Sequence, residues 1–162
     1  MNNIVEFLKK TNTFAVVGVS RDKTKYGYKV FVDLINAEYR VYAINPNIES
    51  IDDHQIYPSL DKLPSKPDVL ICVVPPKVTE QIVRQAKDLG INMIWMQPGS
   101  ESKEAIEFCD KNDNVLFEKP YEIINFPAEY TEISPDIFSY HGENVADFDQ
   151  VNVRVLSYEV IE

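Results

Sequence analysis

Short unbroken apolar runs alternate along this chain with longer segments in which apolar residues recur every three or four positions. The first run, Phe14-Ala15-Val16-Val17, stops at Gly18. Those that follow are Val41-Tyr42-Ala43-Ile44, Val69-Leu70-Ile71-Cys72-Val73-Val74, Met93-Ile94-Trp95-Met96 and Val115-Leu116-Phe117. Runs without polar alternation suit strands covered on both faces, as in parallel sheets. Between them, Val30, Phe31, Leu34 and Ile35 form one helical stripe. Ile82, Val83, Ala86 and Leu89 form a second, and Ala105, Ile106, Phe108 and Cys109 a third. Thr79 is expected to cap the second helix, Gly90 to stop it, and Ser102 to cap the third. A short opening helix over residues 4–10, a small strand or turn at Gln55-Ile56-Tyr57 and a helical piece near Leu60 complete the series.

Strands alternating with helices of about ten residues predict right-handed crossover units around a mainly parallel sheet, an α/β domain over residues 1–125. From about Tyr121 the rhythm changes: Pro127, Pro135 and scattered acids separate shorter apolar pieces. Gln150 to Ile161 reads as strand-like, with Val151, Val153 and Val155 alternating. Residues 126–162 are expected to be an acidic C-terminal extension rather than an independent domain.

Charge sharpens this division. The net charge is −10 over 162 residues, which argues against general nucleic-acid binding. Residues 1–120 hold 15 basic and 17 acidic side chains, whereas residues 121–162 hold one basic and nine acidic. Against that background Arg21, Lys23, Lys25 and Lys29 fall close together, opposed only by Asp22. No apolar run approaches the roughly 18 residues of a membrane span, and Met1 to Lys10 lacks the layout of a secretory signal. Cys72 and Cys109 are spaced neither as a metal pair nor as a disulfide framework, so a reducing cytoplasm is the expected location.

In open parallel sheets ligands bind beyond the carboxyl ends of the strands, near the point where strand order reverses. Those ends read Gly18-Val19-Ser20, Asn45-Pro46-Asn47, Val74-Pro75-Pro76 and Gln97-Pro98-Gly99. Gly18 permits a tight turn and the close approach of a phosphate. Ser20 offers a hydroxyl, and the helix that starts near Gly27 offers N–H groups and a positive dipole end. Arg21, Lys23 and Lys25 can meet further phosphates through charge-assisted hydrogen bonds. The two prolines after Val74 present a rigid apolar edge for an adenine ring. A dinucleotide site ordinarily shows Gly-x-Gly-x-x-Gly and an acid at the end of the second strand. Here no glycine lies between Gly18 and Gly27, and the second strand ends in Asn45. The Gly-Lys-Ser/Thr ending of a P-loop is absent too.

Taken together, Ala15-Val16-Val17-Gly18-Val19-Ser20-Arg21, Tyr26-Gly27-Tyr28-Lys29-Val30, Val41-Tyr42-Ala43-Ile44-Asn45-Pro46, Tyr57-Pro58-Ser59-Leu60 and Trp95-Met96-Gln97-Pro98-Gly99 resemble the small CoA-binding domain proteins. That family is related to the amino-terminal part of the succinyl-CoA synthetase alpha subunit. The resemblance runs from about Thr13 to Pro120 and implies a Rossmann-like three-layer sandwich that binds coenzyme A or an acyl-CoA. By this analogy Gly18, Val19, Ser20 and Arg21 hold phosphates, and Lys25, Tyr26 and Gly27 lie beside the phosphorylated ribose or the diphosphate. Asn45 and Pro46 line the nucleotide, Val74, Pro75 and Pro76 the adenine pocket, and Gln97, Pro98 and Gly99 border the far strand end. The 3′-phosphate and diphosphate of CoA give the basic cluster a reason to exist in an acidic protein. Many members carry a cysteine shortly after the last strand, where this chain reads Glu118-Lys119-Pro120. Thiol chemistry at that position is therefore not expected.

No catalytic constellation stands out. His54 and His141 have no partner in a motif, Asp52-Asp53 reads as a turn, and there is no Ser-His-Asp order, zinc spacing or nucleophile elbow. The leading expectation is a non-catalytic CoA or acyl-CoA binder that senses or buffers the cofactor. Two alternatives from other classes are an NAD(P)-binding redox enzyme or sensor, and an interaction module whose acidic tail recruits a partner. A homo-oligomer or protein partner through the C-terminal extension fits the first reading as well.

Overall fold

The computed structural model describes residues 9–97, 99–112 and 115–117. Its strands are β1 (Thr13–Val17), β2 (Arg40–Ile44), β3 (Ser50–Ile51), β4 (His54–Tyr57), β5 (Val69–Cys72), β6 (Met93–Met96) and β7 (Val115–Phe117). The helices are α1 (Tyr26–Asn36), α2 (Pro76–Asp88) and α3 (Lys103–Lys111), with a turn of 3-10 helix at Leu60–Lys62. The strand order is β3-β4-β2-β1-β5-β6-β7. All pairs are parallel except the short β3–β4 hairpin at the edge. Numbered by appearance, the six parallel strands run 3-2-1-4-5-6, the doubly wound Rossmann order. Its reversal falls between β1 and β5.

The unbroken apolar runs have the cause expected of them. Successive strand residues face opposite sides of the sheet, so a strand covered on both faces needs apolar residues at every position. Phe14, Val16, Val69, Ile71 and Trp95 enter the core formed with Val30, Phe31 and Leu34 of α1. Their neighbours Ala15, Val17, Leu70, Cys72, Ile94 and Met96 enter a second core with Ile82, Val83 and Ala86 of α2 and Ala105 and Cys109 of α3. Helix, sheet and helix thus make three layers. At the amino ends of β1 and β5, Thr13 and Asp68 close the sheet reciprocally. The Thr13 N–H donates to Asp68 Oδ2 and the Asp68 N–H to the Thr13 carbonyl, each at 2.8 Å.

The structure corrects several boundaries. β5 ends at Cys72 rather than Val74, and α2 begins at once on Pro76 with Pro75 as its N-cap residue. A proline suits the first helical position because its fixed φ is already helical and its missing N–H has no helical partner to lose. Thr79 is therefore no cap; it lies inside α2 and is buried. Leu89, expected on the apolar face, is 40% exposed just past the helix end. Gly90 stops the helix as expected, with φ +74°. Ser102 caps α3 as expected, its Oγ accepting from the Ala105 N–H at 3.1 Å. Gln55-Ile56-Tyr57 belongs to a full parallel strand, β4, preceded by a two-residue strand that the polar sequence around Ser50 conceals. Asp52-Asp53 is the turn of that hairpin, with Asp52 at φ +49°. The opening helix at 4–10 falls largely, and the strand-like segment at 150–161 wholly, outside the described residues.

Candidate functional site

The carboxyl ends of β1, β2, β5 and β6 are stitched into one surface. At the strand-order reversal Gly18 has φ +95°, and a Cβ on it would lie 2.1 Å from the Val73 carbonyl oxygen and 2.8 Å from Val74 Cγ1. Only glycine fits there, on both conformational and steric grounds. Gly27, in the first turn of α1, packs equally tightly: its Cβ would lie 2.0 Å from the Gly18 carbonyl oxygen. The helix start is thereby drawn onto the end of β1. No side chain caps α1, no acid occupies its first turn, and its N-cap residue is Lys25. A helix amino end of this kind carries partial positive charge and favours an anion.

Between the two glycines the loop folds on itself. Ser20 Oγ accepts from the Asp22 N–H at 3.0 Å, and Asp22 Oδ1 accepts from the Thr24 N–H at 2.9 Å and the Thr24 hydroxyl at 2.7 Å. The Thr24 side-chain hydrogen bond, with its backbone bond behind it, holds the Asp22 carboxyl below the usual aspartate value. Asp22, the one acid in the basic cluster, is thus engaged within the loop. Arg21, Lys23 and Lys25 are exposed. Lys29 Nζ lies over the Tyr26 ring, 5.4 Å from its centroid.

The second strand end is bound to the first. Asn45 Nδ2 donates to the Val19 carbonyl at 2.8 Å, and Asn45 Oδ1 accepts from the Asn47 N–H at 2.8 Å. Arg21 Nε donates to the Ser50 carbonyl at 3.1 Å, which brings the β3–β4 hairpin into the site; sequence reading missed Ser50 because it enters through its backbone. A dinucleotide fold places a carboxylate for the ribose hydroxyls near Asn45. Here a carboxamide stands in that place with both ends engaged. Pro46 is exposed beside it.

The other two ends join through Ser100, a residue sequence reading also missed. Its buried hydroxyl accepts from the Val74 N–H at 3.0 Å, and its own N–H donates to the Gln97 carbonyl at 2.8 Å. Gly99 has φ +89° in that turn and donates to Glu101 Oε2 at 2.6 Å. Gln97 is only 3% exposed, so it borders the surface from beneath. Pro75 is exposed and Pro76 half-buried at the start of α2. Pro98 lies outside the described residues. The structure therefore brings Gly18, Val19, Gly27, Asn45 and Val74 into direct contact or hydrogen bonding, and ties Gln97 and Gly99 to them through Ser100. Ser20, Arg21, Lys25 and Tyr26 belong to the loop above.

His54 stands apart from this surface chemistry: on β4, its ring packs edge-on against Phe31 at 5.3 Å. His141 lies outside the described residues. Cys72 and Cys109 are both buried. Burial, with Cys109 as a smaller cause, pushes the Cys72 thiol up to about 12.

The chain is similar to several known proteins. Residues 12–120 match the family described as CoA binding domain. The alpha subunit of an ADP-forming acetate–CoA ligase II from Pyrococcus furiosus is 31% identical over 121 residues, covering 67% of this chain and 26% of that protein. The corresponding ligase II of Archaeoglobus fulgidus is 30% identical over 104 residues, covering 63% of this chain and 16% of that protein. The matched segment thus spans about a quarter or less of these curated relatives. Among solved structures, a conserved hypothetical protein from Pyrococcus furiosus superposes with a TM-score of 0.63 at 36% identity. That match covers 65% of this chain and 91% of the other.

Proposed function

This chain belongs to the CoA binding domain family, and from that premise we propose that it binds coenzyme A or an acyl-CoA at the carboxyl ends of its parallel strands, without itself catalysing a reaction. The observation that carries this reading is the start of α1. It is uncapped, free of acids in its first turn and packed through Gly27 onto Gly18 at the strand-order reversal. Backbone N–H groups, a helix dipole and the exposed Arg21, Lys23 and Lys25 converge on one loop, an arrangement suited to several phosphates at once.

On this reading Gly18, Val19, Ser20 and Arg21 hold the diphosphate, and Lys25, Tyr26 and Gly27 lie beside it or the phosphorylated ribose. Asn45 and Pro46 border the nucleotide, Val74, Pro75 and Pro76 the adenine, and Gln97, Pro98 and Gly99 the far edge. The relatives are named as acetate–CoA ligases, and this chain matches only a small part of each. That supports a cofactor-binding role; a second copy of the chain or a protein partner engaged through residues 126–162 is part of the same proposal. His54, packed on Phe31, offers no acid–base group at the strand ends. Two cysteines, both buried, fit a cytoplasmic location. The engaged Asn45 carboxamide counts against the NAD(P) alternative.

Calorimetric titration of the full chain with CoA, 3′-dephospho-CoA and NAD tests the proposal. Saturable CoA binding, weakened when the 3′-phosphate is missing, is expected. Tight NAD binding with no heat from CoA would overturn it.

A further inference from the structure

Three hydrogen bonds fasten the 18–25 loop to the end of β2 and the segment that follows it. The Gly18 N–H donates to the Ile44 carbonyl at 3.0 Å, Asn45 Nδ2 to the Val19 carbonyl at 2.8 Å, and Arg21 Nε to the Ser50 carbonyl at 3.1 Å. The middle one is set by a part-buried side chain at the point where the loop leaves the sheet. We propose that Asn45 is a positioning residue: its carboxamide, bonded at both ends to backbone beside the nucleotide it borders, fixes the Val19 carbonyl and so presets the phosphate loop. The proposal rests on the CoA-binding reading and deepens it.

The chemistry at position 45 calls for a donor and an acceptor in one short planar group. Oδ1 accepts from the Asn47 N–H at 2.8 Å, which turns the –NH2 towards Val19. Aspartate keeps the acceptor but sets a carboxylate against a carbonyl. Glutamine is one methylene longer and does not close the same two-residue turn.

The consequence for the loop follows from peptide planarity. In a trans peptide the C=O and the following N–H point in opposite directions. With the Val19 carbonyl held towards Asn45, the Ser20 N–H is held away from the β2 loop. The Val19 side chain is buried in the core formed with α1, so the peptide is anchored from below as well. One carboxamide thereby sets the direction of the Ser20 N–H.

The test compares the wild-type chain with Asn45→Ala, Asn45→Asp and, as a distal control, Ser102→Ala. Each is measured for CoA affinity by calorimetry and for backbone amide hydrogen exchange. For Asn45→Ala we expect roughly tenfold weaker CoA binding, with faster exchange in residues 18–25 and unchanged exchange in β5 and β6. Asn45→Asp should be weakened at least as much near neutral pH. Relative to wild type it should recover as pH falls towards about 4, where a protonated carboxyl regains a donor. Ser102→Ala should bind CoA as wild type does.

Wild-type affinity in Asn45→Ala, with CoA binding intact, would overturn the proposal and leave the functional reading standing. So would an affinity loss accompanied by uniformly faster exchange, or no pH recovery in Asn45→Asp, since each indicates a merely structural role. No CoA binding by the wild-type chain would overturn both.

Discussion

Gly27 approaches Gly18 so closely that a methyl group on it would lie 2.0 Å from the Gly18 carbonyl oxygen. The two glycines answer different demands. Gly18 has a left-handed φ and meets Val73 on its other side, whereas Gly27 is helical and is a glycine for lack of space alone. Together they set how near the amino end of α1 comes to the strand-order reversal.

Gly27→Ala should therefore be costly although alanine is the better helix former. Overpacking against backbone that cannot swing aside is expected to cost about 3 kcal/mol, read as a lower urea midpoint, together with loss of CoA binding. An unchanged midpoint would mean that the helix slides outward freely and that the close approach is incidental.

Reversing charge at the helix start should act on binding rather than folding. Lys25 is exposed, so Lys25→Glu is expected to leave the urea midpoint nearly unchanged and to weaken CoA binding by roughly tenfold or more at about 0.05 M salt. The deficit should shrink at about 0.5 M salt, where exposed charges are screened. Lys103→Glu, in the first turn of α3, is the matching control and should bind CoA as wild type does. Equal affinities for the two variants would remove Lys25 from the site.

Stability should fall in alkali because of a buried thiol. Cys72 is raised to about 12 by burial, against 9.0 for an ordinary thiol. Between those values the unfolded chain loses this proton and the folded chain keeps it. The stabilising difference is therefore complete below about pH 9 and declines as pH rises towards about 12, by at most about 1.4 kcal/mol per pH unit. Urea midpoints from about pH 8 to about pH 10.5 should drop more steeply for wild type than for Cys72→Ala. Parallel slopes would show that the thiol is not the cause.

Ser102→Ala removes both the α3 cap and the hydrogen bond from Ser102 to Glu80 Oε1 at 2.9 Å. A loss of about 1 kcal/mol is expected in urea unfolding. A loss near zero would mean that solvent replaces the cap.

Much of this architecture was legible in the chain. Phe14–Val17, Val69–Cys72 and Met93–Met96 are apolar at every position because both sheet faces are covered, and Ser102 stands where a helix must start. What escaped was decided by contacts between distant residues. Thr79 resembles a cap, but Pro75-Pro76 opens the helix earlier and carries Thr79 into the interior. The strand at Ser50–Ile51 exists only because β4 offers it an antiparallel partner. The site residues Gly18, Asn45 and Gly99 could be picked out as glycines or strand ends. That Asn45 reaches the Val19 carbonyl, that Arg21 reaches the Ser50 carbonyl, and that Ser100 joins two strand ends depends on register between segments. Local composition does not encode it.

The two buried thiols have a practical side. They are the chain's only cysteines, and both face the core between the sheet and the α2–α3 layer, with no surface for a reagent to reach. The folded protein is thus a blank background for thiol-directed labelling. A single cysteine introduced at the exposed Leu89, at the end of α2 away from the ligand loops, would carry a fluorophore or spin label without competition from the native residues. Ligand-induced changes in the 18–25 loop could then be followed from a second engineered position while the interior stays chemically silent.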